Sequence, residues 1–155
     1  MKIEPEKQPD QQNDMNARRE HGISVMRFLV VDDDIEFNDM VAEIVIKLGH
    51  TVVGRAFDGE SAVRIFAGDP GGFDVVVMDV IMPLKNGIVA AEKMLRIKPE
   101  ARILLMSGDW TNKSLVPDIG NIKFLHKPFG IEEMKMELES DLAATELGSL
   151  RPEII

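Results

Sequence analysis

Apolar residues fall along this chain in two alternating rhythms. Short stretches rich in β-branched and other apolar residues, Phe28–Val31, Thr51–Ala56, Val75–Met78, Ile103–Met106 and Ile122–Leu125, read as strands. Between them apolar positions recur at helical spacing. Phe37, Met40, Val41, Ile44, Val45 and Leu48 form one stripe, with Gly49 as its C-cap. A short helix from Glu60 to Ala67 buries Ala62, Val63 and Phe66 and is ended by Gly68, Asp69, Pro70, Gly71 and Gly72. A third runs from about Ile88 to Ile97 and stops before Pro99. Trp110 to Val116 predicts a weak helix broken by Pro117, and Ile131, Met134, Leu138 and Leu142 mark a last helix reaching about Leu147. Strand and helix thus alternate five times, which predicts an α/β fold in three layers: a five-stranded parallel sheet, right-handed crossovers and helices on both faces.

The 155 residues suit one domain with a sizeable core. Residues 1–24 are polar and lack periodicity, so a disordered N-terminal extension is expected there. It could be a docking arm, but an unstructured extension, or a start at Met26, is the plainer reading. Residues 25–148 form the domain and 149–155 a short C-terminal tail. A net charge of −9 argues against neutralising nucleic-acid phosphates and against an anionic membrane surface, so neither DNA nor membrane is an expected partner. With no cysteine, disulfides and thiol catalysis are excluded, and a reducing cytoplasm is the expected location.

Chemistry enters at the strand ends. The first strand is followed by Asp32 and Asp33, the third by Asp79, the fourth by Ser107 and the fifth by Lys127. A parallel sheet brings all of its carboxyl ends to one edge, where open α/β sheets bind ligands. Three carboxylates gathered there repel by about 1–4 kcal/mol per pair at ~4 Å, a cost that a divalent cation removes. An all-oxygen set suits Mg²⁺, and Mg²⁺ with an ammonium and a hydroxyl suits a transferring phosphoryl group, with Asp79 as nucleophile.

VVDDD at 30–34, MDVIMP at 78–83 with Gly87, MSG at 106–108 and KPF at 127–129 together resemble the receiver domain of two-component response regulators. The resemblance spans about Arg27 to Leu147. It implies a flavodoxin-like fold of strand order 2-1-3-4-5 and a single-domain, chemotaxis-type regulator that catalyses only its own phosphorylation and dephosphorylation. It implies Asp79 as phosphoacceptor and a Mg²⁺ ion held by Asp33, Asp79, the backbone carbonyl of Ile81 and, through a water, Asp32. Ser107 becomes the switch hydroxyl, Lys127 the invariant lysine, Phe124 the switch aromatic, and the Lys127–Pro128 bond is expected to be cis. The implied partners are a histidine kinase or histidine phosphotransfer protein and an unnamed downstream protein, with the chain a monomer or weak dimer.

Plainer readings stand beside these. Asp34 is better explained as an N-cap than as a third ligand, Phe124 could be plain core, and Ser107 alone could be a turn residue. His21, His50 and His126 do not read as ligands or bases, and the side chain of His126 should face away from that of Lys127. An apolar Ile81, at a position that with Asp109 tunes autodephosphorylation in the family, cannot orient a water, so a long-lived phosphoryl group is expected. Met136, Ala143, Leu147 and Leu150 form a second apolar line on the last helix. The alternative function is an aspartate-nucleophile phosphatase of haloacid dehalogenase type using Asp32 and Asp34. It leaves Asp79, Pro83 and Gly87 idle.

Overall fold

The computed structural model describes residues 24–115 and 121–149. In chain order it contains β1 (Arg27–Val31), α1 (Ile35–Lys47), β2 (Thr51–Ala56), α2 (Gly59–Gly68), β3 (Val75–Asp79), α3 (Gly87–Ile97), β4 (Arg102–Ser107), β5 (Ile122–His126) and α4 (Ile131–Ser149). All strand pairs are parallel, in the order β2-β1-β3-β4-β5. This is the sheet that the alternation and the resemblance led us to expect.

Register divides the strand side chains cleanly between two cores. Leu29, Val76 and Ile103 stand opposite one another and pack under α2 and α3 with Ala62, Phe66, Ala90 and Met94. Their neighbours Val30, Val77 and Leu104 also align, and pack under α1 and α4 with Val41, Val45, Met134 and Leu138. A strand covered on both faces must be apolar at every position, which is why β1 and β3 read as continuous runs instead of alternating ones.

The helix ends follow local chemistry. Asp34 caps α1 by accepting the Phe37 N–H at 3.1 Å, so its carboxylate serves the helix, as expected. Gly49 follows the cap at φ 89°, a left-handed conformation that glycine adopts without strain. Asp58 caps α2 through the Ser61 N–H at 2.7 Å.

Between β4 and β5 the expected weak helix is a 3-10 helix, Trp110–Leu115. Short polar side chains explain the difference, because they offer the backbone other partners. Asp109 accepts both the N–H and the hydroxyl of Thr111, and Ser114 donates its hydroxyl to Thr111 O at 2.7 Å. Four α-helices therefore accompany the five strands among the described residues. Pro117, residues 1–23 of the expected 1–24 extension and residues 150–155 of the expected 149–155 tail lie outside the described residues, whereas Ser149 is the last residue of α4 and not part of a tail. On the second apolar line of α4, Met136 is exposed, while Ala143, Leu147 and Leu150 fall outside the described side chains. Among the described residues no helix is long and apolar enough to cross a membrane.

Candidate functional site

Because the strands are parallel, their carboxyl ends share one edge: Asp32 and Asp33 follow the last ladder pair of β1, while Asp79 is the last paired residue of β3, opposite Met106. Asp32, Asp33 and Asp79 meet there, each offering a carboxylate oxygen, with these oxygens all within 4.8 Å of one another. Lys127, delivered by the end of β5, places Nζ 2.8 Å from Asp32 Oδ2 and 3.4 Å from Asp79 Oδ1. The shorter contact goes to Asp32, the most deeply buried of the three acids at 0% exposure. That order follows from cost, since a buried carboxylate without a partner is more expensive than an exposed one. Asp32 Oδ1 also accepts the Asp34 N–H at 2.9 Å, so both of its oxygens are engaged.

Asp79 is in a less satisfied position. Burial pushes its carboxyl up to about 6. The Lys127 ammonium pulls it down, while the charges of Asp32 and Asp33 push it further up. Phe37 completes the surroundings of Lys127, whose ammonium lies 4.0 Å from that ring's centroid, and Phe37 in turn meets Phe129 edge to face at 5.6 Å. The ammonium is thus held between a carboxylate and an aromatic face. The donor set of the cluster is all oxygen, which fits a hard divalent cation such as Mg²⁺ and suits no softer metal as well.

The loop after β3 explains Gly87. A Cβ there would fall 2.1 Å from Asp79 O and 3.0 Å from Val80 Cα, so only glycine lets α3 start against the site strand. Gly87 N donates to Val80 O at 2.8 Å, and Asn86 caps the helix through the Ile88 N–H. Pro83, Leu84 and Lys85 form a tight turn in which Lys85 N donates to Pro83 O, with Leu84 at φ 68° and its side chain exposed. Ile81 is 63% exposed, standing at the rim of the acidic cluster's own loop.

Each residue singled out in the sequence can now be placed. Ser107 is buried at the end of β4, one residue beyond Met106, the register partner of Asp79. Its hydroxyl accepts the Asp109 N–H at 3.1 Å, and its carbonyl accepts the Lys127 N–H at 2.8 Å, tying the β4 and β5 ends together. The Lys127–Pro128 bond is cis. Phe124 is half-buried and packs against the core under α2 and α3. Asp34, required by the phosphatase alternative, caps α1 and is not among the three converging acids. His126 Nε2 lies 3.2 Å from Gly108 O, and His50 accepts the Met26 N–H, so neither joins the cluster. His21 is outside the described residues.

Two participants escaped the sequence reading. Phe37 was assigned only to the core stripe, yet it also faces the Lys127 ammonium. Asn38 was not singled out at all, although it is fully buried beside Asp32. The available signal was a polar residue three positions before Val41 and seven before Val45, on the buried stripe of α1.

Comparison with known proteins agrees with this geometry. A family model described as the response regulator receiver domain matches residues 28–139. The chemotaxis protein CheY of Thermotoga maritima is 34% identical over 105 residues, covering 66% of this chain and 86% of that protein. The DNA-binding transcriptional regulator NtrC of Azospirillum brasilense is 30% identical over 122 residues, 77% of this chain but only 25% of that protein. A solved CheX–CheY–BeF3–Mg complex from Borrelia burgdorferi shares the fold, with a TM-score of 0.71 at 21% identity over 79% of this chain and 93% of the solved one.

Proposed function

The chain belongs to the response regulator receiver domain family, and we propose that it accepts a phosphoryl group on Asp79 in a Mg²⁺-dependent reaction and signals through the resulting change at the strand ends. One observation carries this reading: three aspartate carboxylates converge within 4.8 Å of one another while a lysine ammonium reaches two of them.

A carboxylate oxygen of Asp79 attacks the phosphorus of a phosphohistidine on a histidine kinase or phosphotransfer protein. The new P–O bond forms as the P–N bond breaks, and the electron pair leaves with the donor's imidazole nitrogen. Asp33 and Asp79 would hold the metal directly, the Ile81 carbonyl would complete the protein ligands, and Asp32 would act through a water. When bound, Mg²⁺ neutralises charge shared by the carboxylates and the phosphoryl oxygens. Lys127 is close enough to Asp79 to shift its ammonium onto a phosphoryl oxygen, and Ser107 turns its hydroxyl toward another. Phe124, half-buried on the edge strand, follows that movement and alters the surface beside it. The protein transforms no other substrate. Its output is contact with another protein or onward phosphoryl transfer, and its net charge of −9 supports a protein target over DNA.

The test is incubation with Mg²⁺ and acetyl phosphate, read by intact-protein mass. Wild type should gain one phosphoryl group, stoichiometrically and without turnover of phosphate esters, and Asp79→Asn none. Equal labelling of the two proteins would defeat the assignment.

A further inference from the structure

Asp33 is the exposed member of the acidic cluster, and its carboxylate makes no hydrogen bond or ion pair among the described residues. Its direction therefore depends on the backbone that carries it, above all on the peptide joining Asp32 to Asp33. That peptide lies where the β1–β2 ladder gives out. The last register pair is Val31 with Ala56, and the Asp32 N–H still reaches Ala56 O at 3.2 Å. Beyond this point the two chains separate, toward α1 on one side and α2 on the other.

One side chain spans the fork. The Asn38 amide donates to Asp32 O at 3.1 Å and to Ala56 O at 3.0 Å. Its own oxygen accepts Arg55 Nε at 2.7 Å. Both donors and the acceptor are used, as a side chain with no exposed surface requires. Arg55 is anchored in turn by an ion pair with Asp39 and lies 5.7 Å from the centroid of the Phe57 ring. Nothing about α1 asks for this residue, because asparagine is a mediocre helix former and an apolar side chain would continue the buried stripe.

We propose that Asn38 is a positioning residue for the metal site: by clasping the carbonyls of Asp32 and Ala56 it fixes the Asp32–Asp33 peptide and so aims the Asp33 carboxylate at the ion. This role for Asn38 rests on the Mg²⁺-dependent function proposed above, and the two can fail separately. Groups that orient a metal ligand without touching the metal commonly change affinity by ~10-fold or more when removed.

The experiment compares wild type, Asn38→Ala and Asn38→Asp by calorimetric Mg²⁺ titration and by acetyl phosphate labelling at graded Mg²⁺. Both variants should need about tenfold more Mg²⁺ for half-saturation, and excess Mg²⁺ should restore most of the labelling. Asn38→Asp keeps the acceptor for Arg55 but has no N–H for the two carbonyls, so it separates the clasp from mere space filling. A fold weakened for other reasons would lower the melting temperature without moving Mg²⁺ half-saturation in the folded protein. If either folded variant binds Mg²⁺ within about twofold of wild type, the clasp is not what aims Asp33. Should both fail to fold, Arg55→Met keeps the Asn38 donors and removes their anchor. It should then raise half-saturation by ~3-fold, and an unchanged value overturns the proposal. Wild type that neither binds Mg²⁺ nor takes up phosphate would instead sink the functional reading itself.

Discussion

Burial at the end of β3 disfavours the ionised form of Asp79, and the charges of Asp32 and Asp33 disfavour it further. Without metal its carboxyl titrates at about 6 instead of the ordinary carboxylate range. A raised value in the folded state means that the fold holds this proton more tightly than the unfolded chain does. The stability linked to it is fully present below about pH 4 and is lost as pH rises through the folded value. In chelator, Asp79→Asn should therefore melt with wild type near pH 4 and above it at pH 7.5, by about 1–2 kcal/mol once solvent screening is allowed for. Thermal melts across that range check it; a gap that narrows as pH rises would contradict the linkage. Lys127 has the opposite sense. Lys127→Met leaves the fully buried Asp32 carboxylate without its cation, and should cost about 2–3 kcal/mol in denaturant titrations at neutral pH. Ile81 bears on lifetime: its exposed apolar side chain offers an attacking water no hydrogen bond. The phosphoprotein should persist for minutes, and Ile81→Asn should shorten its half-life by about tenfold. Decay of purified wild type within seconds would remove Ile81 from consideration.

At the scale of elements, what the sequence declared and what it withheld divide by mechanism. Strands covered on both faces announce themselves as apolar runs; β1 stops just before Asp32, and β3 runs one residue further than its apolar run, ending on Asp79. Helix caps were equally legible, as Asp34 shows, because one side chain and one N–H settle them. The β4–β5 connection was harder, since its 3-10 conformation depends on competing hydrogen bonds from Asp109, Thr111 and Ser114 that no apolar period records. Close approach is also invisible in a single chain: Gly87 could be named, but the 2.1 Å separation a Cβ would have from Asp79 O comes only from packing α3 against β3. Gly87→Ala should accordingly lose about 2–3 kcal/mol and weaken labelling of Asp79, because relieving that overlap moves the site strand. Gly68→Ala is the control, at the end of α2 with nothing within 4 Å of the added atom. It should be neutral or gain up to about 1 kcal/mol. Equal melting temperatures for the two variants would mean that the α3 start yields more readily than its geometry implies.

For the whole molecule, folding gathers three acids against one lysine ammonium, an excess of negative charge that a divalent cation would offset. Long-range pairing brings four strand ends to one edge, so Asp32, Asp33 and Asp79 are neighbours only in the folded chain. Sequence order revealed which residues arrive there, because topology alone dictates it. How the arrivals share their partners was not legible: that Lys127 leans toward Asp32, and that Asn38 braces the fork between β1 and β2, depend on angles no motif encodes. A ligand that binds only the folded cluster must stabilise the fold by RT ln(1 + [L]/Kd). Mg²⁺ at about 100 times its dissociation constant should therefore add ~2.7 kcal/mol, which for a domain of this size raises the melting temperature by roughly 5–10 °C. Asp33→Asn should lose most of that increment, since it removes one of the two proposed direct ligands, while its metal-free form should melt no lower than wild type because one repelling charge has gone. Differential scanning calorimetry of both proteins with Mg²⁺ and with chelator reads all four states. A Mg²⁺ increment that survived Asp33→Asn would place the ion somewhere other than among these three acids.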